Sequence, residues 1–438
     1  MQPATDSVDS NSDRPAQNQP TEHPDLKSPF HVTDATPKSE NPKNQKPGQT
    51  VGAETSPMKS TPETTAAETA TPTTPPPEKA NPQPSTPETS KPAKVVESSV
   101  QRSPAEIDAL INKVGRTPPD WYESTPLKYP KTLDLDWPQP PPKGGWNTNK
   151  NVGQYIWSVI NENSRNWHSG IRFLHHMLLV HKDNRVVLFR VMVELGRMYH
   201  EHLQDYVRAA FWYRQSGVAR SGSRFARQRH GAHLAECYWR LGNRAMAIDF
   251  LNKLPATYTV IKLWGDLGET DRSEQLAMRA IRAGGAPNQL YLYIGDAHRM
   301  AGNFTKAISA YRKVVAVPAT GKRKQRIEKD HKRAQANIAA IQVTETLDLS
   351  RIPNGSYRAS SLGYETQVHV EVVIRDGRIT SAKVTQHREK QYYSSLFDTP
   401  RRIVQTQGVR GIDTTSGATI TSEAIINAAT KALTAAMK

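Results

Sequence analysis

The sequence predicts a multidomain chain: a disordered Pro/Thr-rich N-terminus, an all-α helical-repeat solenoid, and a small α+β domain at the C-terminus. Three observations lead there. Residues 1–103 are dominated by Pro, Thr, Ser, Glu, Asn and Lys, as in "TPTTPPPEKANPQPSTPETSKPAK". Between 151 and 343 apolar residues recur with a helical period, and short segments repeat one another. From about 350 the period changes to strict alternation, and a helical pattern returns only at the end.

The first part holds too few aromatic and branched apolar residues to offset the entropy of ordering a chain, so 1–103 reads as a tether. The whole chain of 438 residues contains 32 prolines and carries a net charge of +16. Its densest basic runs are "RSGSRFARQRH" (Arg220 to His230) and "GKRKQRIEKDHKR" (Gly321 to Arg333). Such runs either attract acidic surfaces or form ordinary solvated faces. Aromatic residues do not interleave with the basic ones as they do where bases stack, and no zinc or helix-turn-helix signature occurs, so nucleic acid is not expected as a partner. The single Cys237 can form no intrachain disulfide and reads as a small buried side chain. No apolar run reaches transmembrane length, and the residues after Met1 lack a secretory pattern.

Residues 104–150 gain aromatics but keep many prolines, which predicts an extended segment lying on a neighbouring domain. Trp121, Tyr122, Trp137 and Trp146 are its expected anchors.

Within 151–343 the repetition is explicit. "YLYIGDAHRMAGNFTKAISAYRKVVAVP" places Ile294, Gly295, His298, Gly302, Ala307, Tyr311 and Pro318 at fixed offsets. "HLAECYWRLGNRAMAIDFLNKLP" repeats them with Leu234, Ala235, Tyr238, Gly242, Ala247 and Leu251. A third copy begins at Leu195-Gly196 with Tyr199 and reaches Ala209 and Tyr213 one residue late. "LWGDLGETDRSEQLAMRAIRAG" is a degenerate fourth. Small residues let two helices approach, larger ones fill the groove, and each unit buries its apolar face only against neighbours. The pattern resembles the tetratricopeptide family, which implies a protein-binding scaffold and no chemistry. In the same region His168, His175, His176 and His181 cluster in sequence without Cys or carboxylate at ligand spacing, so no metal is expected there.

After the repeats, "NGSYRASSLGY" reads as a turn and short strand, and Val368, Val370, Val372 and Ile374 alternate on one face of the next strand. Asp376-Gly377 predicts a hairpin turn, followed by a strand through Ile379 and Val384 whose alternation slips before Ala382, as a bulge would produce. "HREKQYYSSLFDTPRRIVQTQG" reads as helix or loop. "SEAIINAATKALTAAM" reads as a helix with Ile425, Ala428, Ala432 and Ala436 on one face.

Immediately ahead of that helix stands "DTTSGATITS". A helix N-terminus offers unpaired N–H groups and the positive end of a dipole, which suits a phosphate. Gly417 and Ala418 allow close approach, and Thr419, Thr421 and Ser422 offer oxygens. The competing reading is a plain Ser/Thr cap, which needs only one of those hydroxyls.

The order Asn354-Gly355-Ser356-Tyr357, Gly363-Tyr364, alternating valines, Asp376-Gly377-Arg378-Ile379, His387-Arg388-Glu389 and "DTTSGATITS" resembles a known family. It is the FMN-binding domain of the covalently flavinylated subunits of sodium-pumping quinone reductases and Rnf-type electron-transport complexes. The resemblance covers about 350–438. It implies FMN held by a phosphoester on the threonine after Gly-Ala, here Thr419, attached by a separate Mg-dependent flavin transferase with FAD as donor. It also implies that Asp413 serves recognition by the transferase and that Ser416 holds the loop and contacts the phosphate. The sequence departs from the family at Ala359, Glu365 and Thr366, and at Lys390, Gln391, Tyr392 and Tyr393 after the His-Arg-Glu.

The expected function is therefore a flavin-carrying electron-transfer protein on a helical-repeat scaffold, with the transferase and an unidentified redox protein as partners. The family's habit suggests an extracytoplasmic place, with a cytoplasmic one open. Two alternatives stand beside it: a non-redox scaffold with a degenerate or non-covalent FMN domain, and a flavin enzyme acting alone through His387, Glu389 or Tyr392.

Overall fold

A computed structural model describes residues 100–138, 146–220, 224–344, 346–390, 394–412, 414 and 418–437, with the side chains of 224–229 excepted. The predicted tether falls outside them except for its last four residues. All described residues belong to one compact unit.

The segment expected to be extended opens instead with helix α1, Pro104–Leu110, which runs on as a π-helical turn, Ile111–Gly115. Two local devices override the proline-rich context. Ser103 and Glu106 close a reciprocal capping box, and Pro104 occupies the first helical turn, where its missing N–H costs nothing. The rest of the segment lies on the helices that follow. Tyr122 and Trp137 are buried, and Trp121 stacks on His168 with ring centroids 3.9 Å apart. Trp146 is 62% exposed and anchors nothing. The four clustered histidines serve this contact. His175 meets Tyr122 edge-on, His176 lies 3.2 Å from the Tyr129 hydroxyl, and His181 Nε2 lies 2.7 Å from the Leu135 carbonyl.

Helix α2, Val152–Tyr155, continues as a π-helical turn to Asn161, and α3 spans Trp167–Val180. Four helix pairs then follow the predicted repeats. They are α4 (Arg185–Arg197) with α5 (Tyr206–Gln215), α6 (Arg224–Arg240) with α7 (Arg244–Leu251), α8 (Tyr258–Asp266) with α9 (Thr270–Arg282), and α10 (Pro287–Met300) with α11 (Phe304–Val315). A Cβ built on Gly196 would meet the Tyr213 ring at 2.7 Å, and one on Gly295 the Tyr311 ring at 2.4 Å. The small residue on the first helix thus seats the tyrosine of the second. The connections between paired helices use a left-handed residue: Gly242, Gly268 and Gly302 in three pairs, and Gln204 (φ 53°) in the first.

The residue by which the first copy runs late is placed by the structure. Eight positions separate Gly196 from Gln204, where seven separate Ala235 from Gly242 and Gly295 from Gly302. The extra residue is absorbed where α4 widens into a π-helical turn, Met198–His202, every residue of which is buried.

A long helix α12, Lys324–Thr344, closes the array. Beyond it lies a three-stranded antiparallel sheet in the order β1-β2-β3: β1 Gly355–Leu362, β2 Gln367–Arg375 and β3 Arg378–Gln386. Asp376 (φ 49°) and Gly377 (φ 69°) make the predicted hairpin turn. The expected bulge falls at Thr380, because Val373 pairs with Ser381 and Ile374 with Ile379. Helices α13, Ser395–Thr406, and α14, Thr419–Ala436, complete the domain. Val368, Val370, Val372 and Ile374, all fully buried, share one core with Ile403, Ile425, Ala428 and Leu433. Cys237 is free and buried. Among the described residues no helix is long and apolar enough to cross a membrane.

Candidate functional site

The hydroxyl-rich motif meets the structure at the start of α14. Thr419 is its first helical residue, and Ala418 occupies the cap position without a side-chain cap hydrogen bond. Thr419, Thr421 and Ser422 all lie inside the helix and not at its cap position. The Thr419 hydroxyl has no hydrogen-bond partner among the described residues. Asp413, Ser416 and Gly417 lie outside them.

Thr421 is committed elsewhere. Its hydroxyl donates to Glu389, a side chain only 2% exposed, which also accepts from the backbone N–H groups of Tyr364 (3.2 Å) and Glu365 (3.0 Å). The same carboxylate explains Gly363, where a Cβ would come within 2.6 Å of Glu389 Oε1. The Gly363-Tyr364 and His387-Arg388-Glu389 segments thus converge on α14, and Glu389 is a structural acceptor. Ser422 is fully buried.

A second set of contacts fixes α14 to the helical array. Arg333 of α12 donates through Nε and Nη2 to the Glu423 carboxylate (2.7 and 2.6 Å), and through Nη2 to Asp296 of α10 (2.7 Å). Asn337 donates to Glu423 (3.0 Å), Arg299 donates to Asn427 (2.8 Å), and the Tyr311 hydroxyl donates to Asp296 (2.8 Å). Burial drives the Asp296 carboxyl up to about 7 although Arg333 opposes the rise. Burial also acts on Glu423, but Arg333 and its hydrogen bonds hold it below its usual value. Arg333 ends a basic run that reads in sequence as a surface feature; here it is the centre of a buried ion network.

Between array and domain lies a cavity of about 370 Å³. Ala418, Thr419, Ile420 and Thr421 line one side, with Tyr364 beside them. The array supplies His200, His233, Glu236, Lys262, Gln289, Tyr293 and Arg326, among others. A larger cavity of about 1090 Å³ lies along α6 and α7 by residues 101–104, and contains none of the motif. At the smaller one, burial and the neighbouring His200 push the His233 imidazole down to about 4, so it is neutral at physiological pH.

Residues 363–434 match the model of the FMN-binding domain family. Residues 289–317, which span all but the first two residues of α10 and the whole of α11, match a tetratricopeptide repeat. No curated protein and no solved structure matches the chain. The FMN-binding match thus covers β2, β3, α13 and most of α14, and the described residues of the motif, Ala418 to Thr421, line the cavity shared with the repeat array.

The residues present fit FMN. The cavity volume falls within the range of about 300–1,000 Å³ usual for small-molecule sites. A hydroxyl with no partner among the described residues, that of Thr419, stands at the N-terminus of an 18-residue helix. The opposite wall offers Lys262, Arg326, Gln289 and Tyr293, and Tyr364 stands beside Thr419; these side chains can donate hydrogen bonds or pack on an aromatic ring.

Proposed function

We propose that the chain is an electron-transfer protein carrying FMN covalently on Thr419, displayed by a helical-repeat scaffold. The observation that carries this reading is the position of Thr419: first residue of α14, hydroxyl unpartnered among the described residues, side chain on the cavity wall. Attachment needs a separate flavin transferase and FAD. Thr419 Oγ1 attacks the phosphorus on the flavin side of FAD, the P–O–P bridge breaks, AMP departs, and the hydroxyl proton passes to the transferase. The chain's own contribution is placement. Glu389 holds Thr421 and the loop at Tyr364, Arg333 and Asn337 hold Glu423, and between them the first turn of α14 is fixed.

A bound flavin supplies one- and two-electron transfer, and the protein supplies its surroundings. Arg326, which also pairs with Asp330 at 3.5 Å, and the hydroxyls of Tyr293 and Tyr364 favour a ring that gains negative charge on reduction. The repeats supply the surface on which a redox partner docks. We infer an extracytoplasmic place for this work, with which the FMN-binding family is compatible.

The test is intact mass and the visible spectrum of denatured protein after co-expression with a flavin transferase, beside Thr419→Val. One FMN less water on the unaltered chain and none on the variant is the expected result. An unmodified chain under those conditions leaves a scaffold with a non-covalent or vestigial flavin domain.

A further inference from the structure

The π-helical turn Met198–His202 and helix α6 bring together three side chains that flavin attachment does not use. His200, Glu201 and His233 each offer one ligand atom, and these atoms lie within 4.8 Å of one another. The two imidazoles face each other, with centroids 5.2 Å apart and planes inclined by 22°. His200 is 1% exposed, and among the described residues neither ring nitrogen makes a hydrogen bond. Its Nε2 lies 3.2 Å from the Glu236 carboxylate, but at an angle outside hydrogen-bond geometry. A buried imidazole with both nitrogens unsatisfied is costly, and a cation is one of the partners that removes the cost.

The surroundings orient these groups. The Tyr213 hydroxyl lies 3.3 Å from Nδ1 of His233, which leaves the other nitrogen for a ligand. Arg197 donates to Glu201 Oε2 (2.8 Å) and also binds Glu194, so one guanidinium is shared by two carboxylates. Glu194 and Glu201 against the single Arg197 leave a net negative charge beside the two rings.

We propose that His200, His233 and Glu201 bind a divalent transition-metal ion of the zinc class, with Glu236 at the edge of the site. Two imidazoles and one carboxylate are the donors such ions select, whereas magnesium and calcium select oxygen alone. Ligand atoms around tetrahedral zinc lie about 3.3 Å apart, from bonds near 2.0 Å, so a set spread over at most 4.8 Å would draw together on binding. His200, His233 and Glu236 also line the cavity, so an ion held by them would lie at its wall. The ion would therefore add positive charge to the wall opposite Thr419. The site does not depend on the flavin, and Thr419→Val leaves metal uptake unchanged.

The full chain, stripped with a chelator, is titrated with zinc(II) and separately with cobalt(II), and metal content is measured after gel filtration. One equivalent is retained by the unaltered chain, and His233→Ala and Glu201→Gln weaken binding at least tenfold. Glu201→Gln keeps the side chain's shape, so it reports even where His233→Ala fails to fold. His168→Ala, at the histidine stacked on Trp121, binds as the unaltered chain does. Cobalt(II) gives a visible absorption band that Glu201→Gln alters. No retained ion, no cobalt band, or retention indifferent to both Glu201→Gln and His200→Ala overturns the proposal.

Discussion

Replacing Arg333 with Met removes the single cation shared by two buried carboxylates while keeping most of the side-chain volume. Three charge-assisted contacts are lost: two to Glu423 at 2.7 and 2.6 Å and one to Asp296 at 2.7 Å. Each is worth about 1.5–3 kcal/mol in isolation, but they are not additive, and breaking a buried ion pair from one side costs about 3–5 kcal/mol. That is the expected loss at pH 8, measured by denaturant unfolding. It shrinks as the pH falls, because the stranded carboxylates recover by taking up protons, at about 1.4 kcal/mol per unit of pKa shift. The unaltered chain has its own slope. Asp296 is raised to about 7 from 3.8, so its contribution to stability is full below the lower value and lost as the pH rises through the upper one. Glu423, held below 4.5, acts in the opposite sense, with a contribution lost only as the pH falls through its depressed value. Flavin attachment falls with stability, since Glu423 lies one helical turn beyond Thr419. A loss below about 1 kcal/mol that does not vary between pH 5 and 8 would refute the view that this network joins array and domain.

Three other perturbations test different parts. Gly295→Val drives side-chain carbon into the Tyr311 ring, so unfolding measurements should find a loss of about 1–3 kcal/mol or more. Thr421→Val leaves the Glu389 carboxylate short of one donor; stability drops by about 1–3 kcal/mol, and intact mass finds less flavin on Thr419 after co-expression with the transferase. Gly377→Ala puts a Cβ at φ 69° in the hairpin turn, and costs about 1–2 kcal/mol in thermal unfolding.

What was legible in the sequence is what depends on neighbours along the chain. Asp376-Gly377 specifies its turn alone, and the slip between Ile379 and Ala382 marks the bulge at Thr380 because alternation is a local count. Gly295 and Tyr311 were visible as repeat positions, since their contact lies within one helix pair. α1 was hidden by the surrounding prolines, although Ser103, Pro104 and Glu106 carried its start signal. Thr421 with Glu389, Arg333 with Glu423, and His200 with His233 were illegible for a common reason. Each pair lies more than thirty residues apart, and only the packing of helices on one another brings its members together.

The residue absorbed by the π-helical turn at the end of α4 has an effect on the direction in which side chains point. An α-helix turns about 100° per residue. Accommodating one extra position within the helix, rather than in the loop, changes which side chains from that point onward face inward, yet leaves the second helix of the pair on its usual seat. His200 and Glu201 point into the interior because of that offset, while Gly196 and Tyr213, on either side of it, keep the contact seen in a regular repeat. Removing a single residue from 198–203 would restore the regular count, and would do so by aiming a different set of side chains at His233 and the cavity. One repeat of the array has thus exchanged its standard helix for a distinct interior at the cost of a single codon.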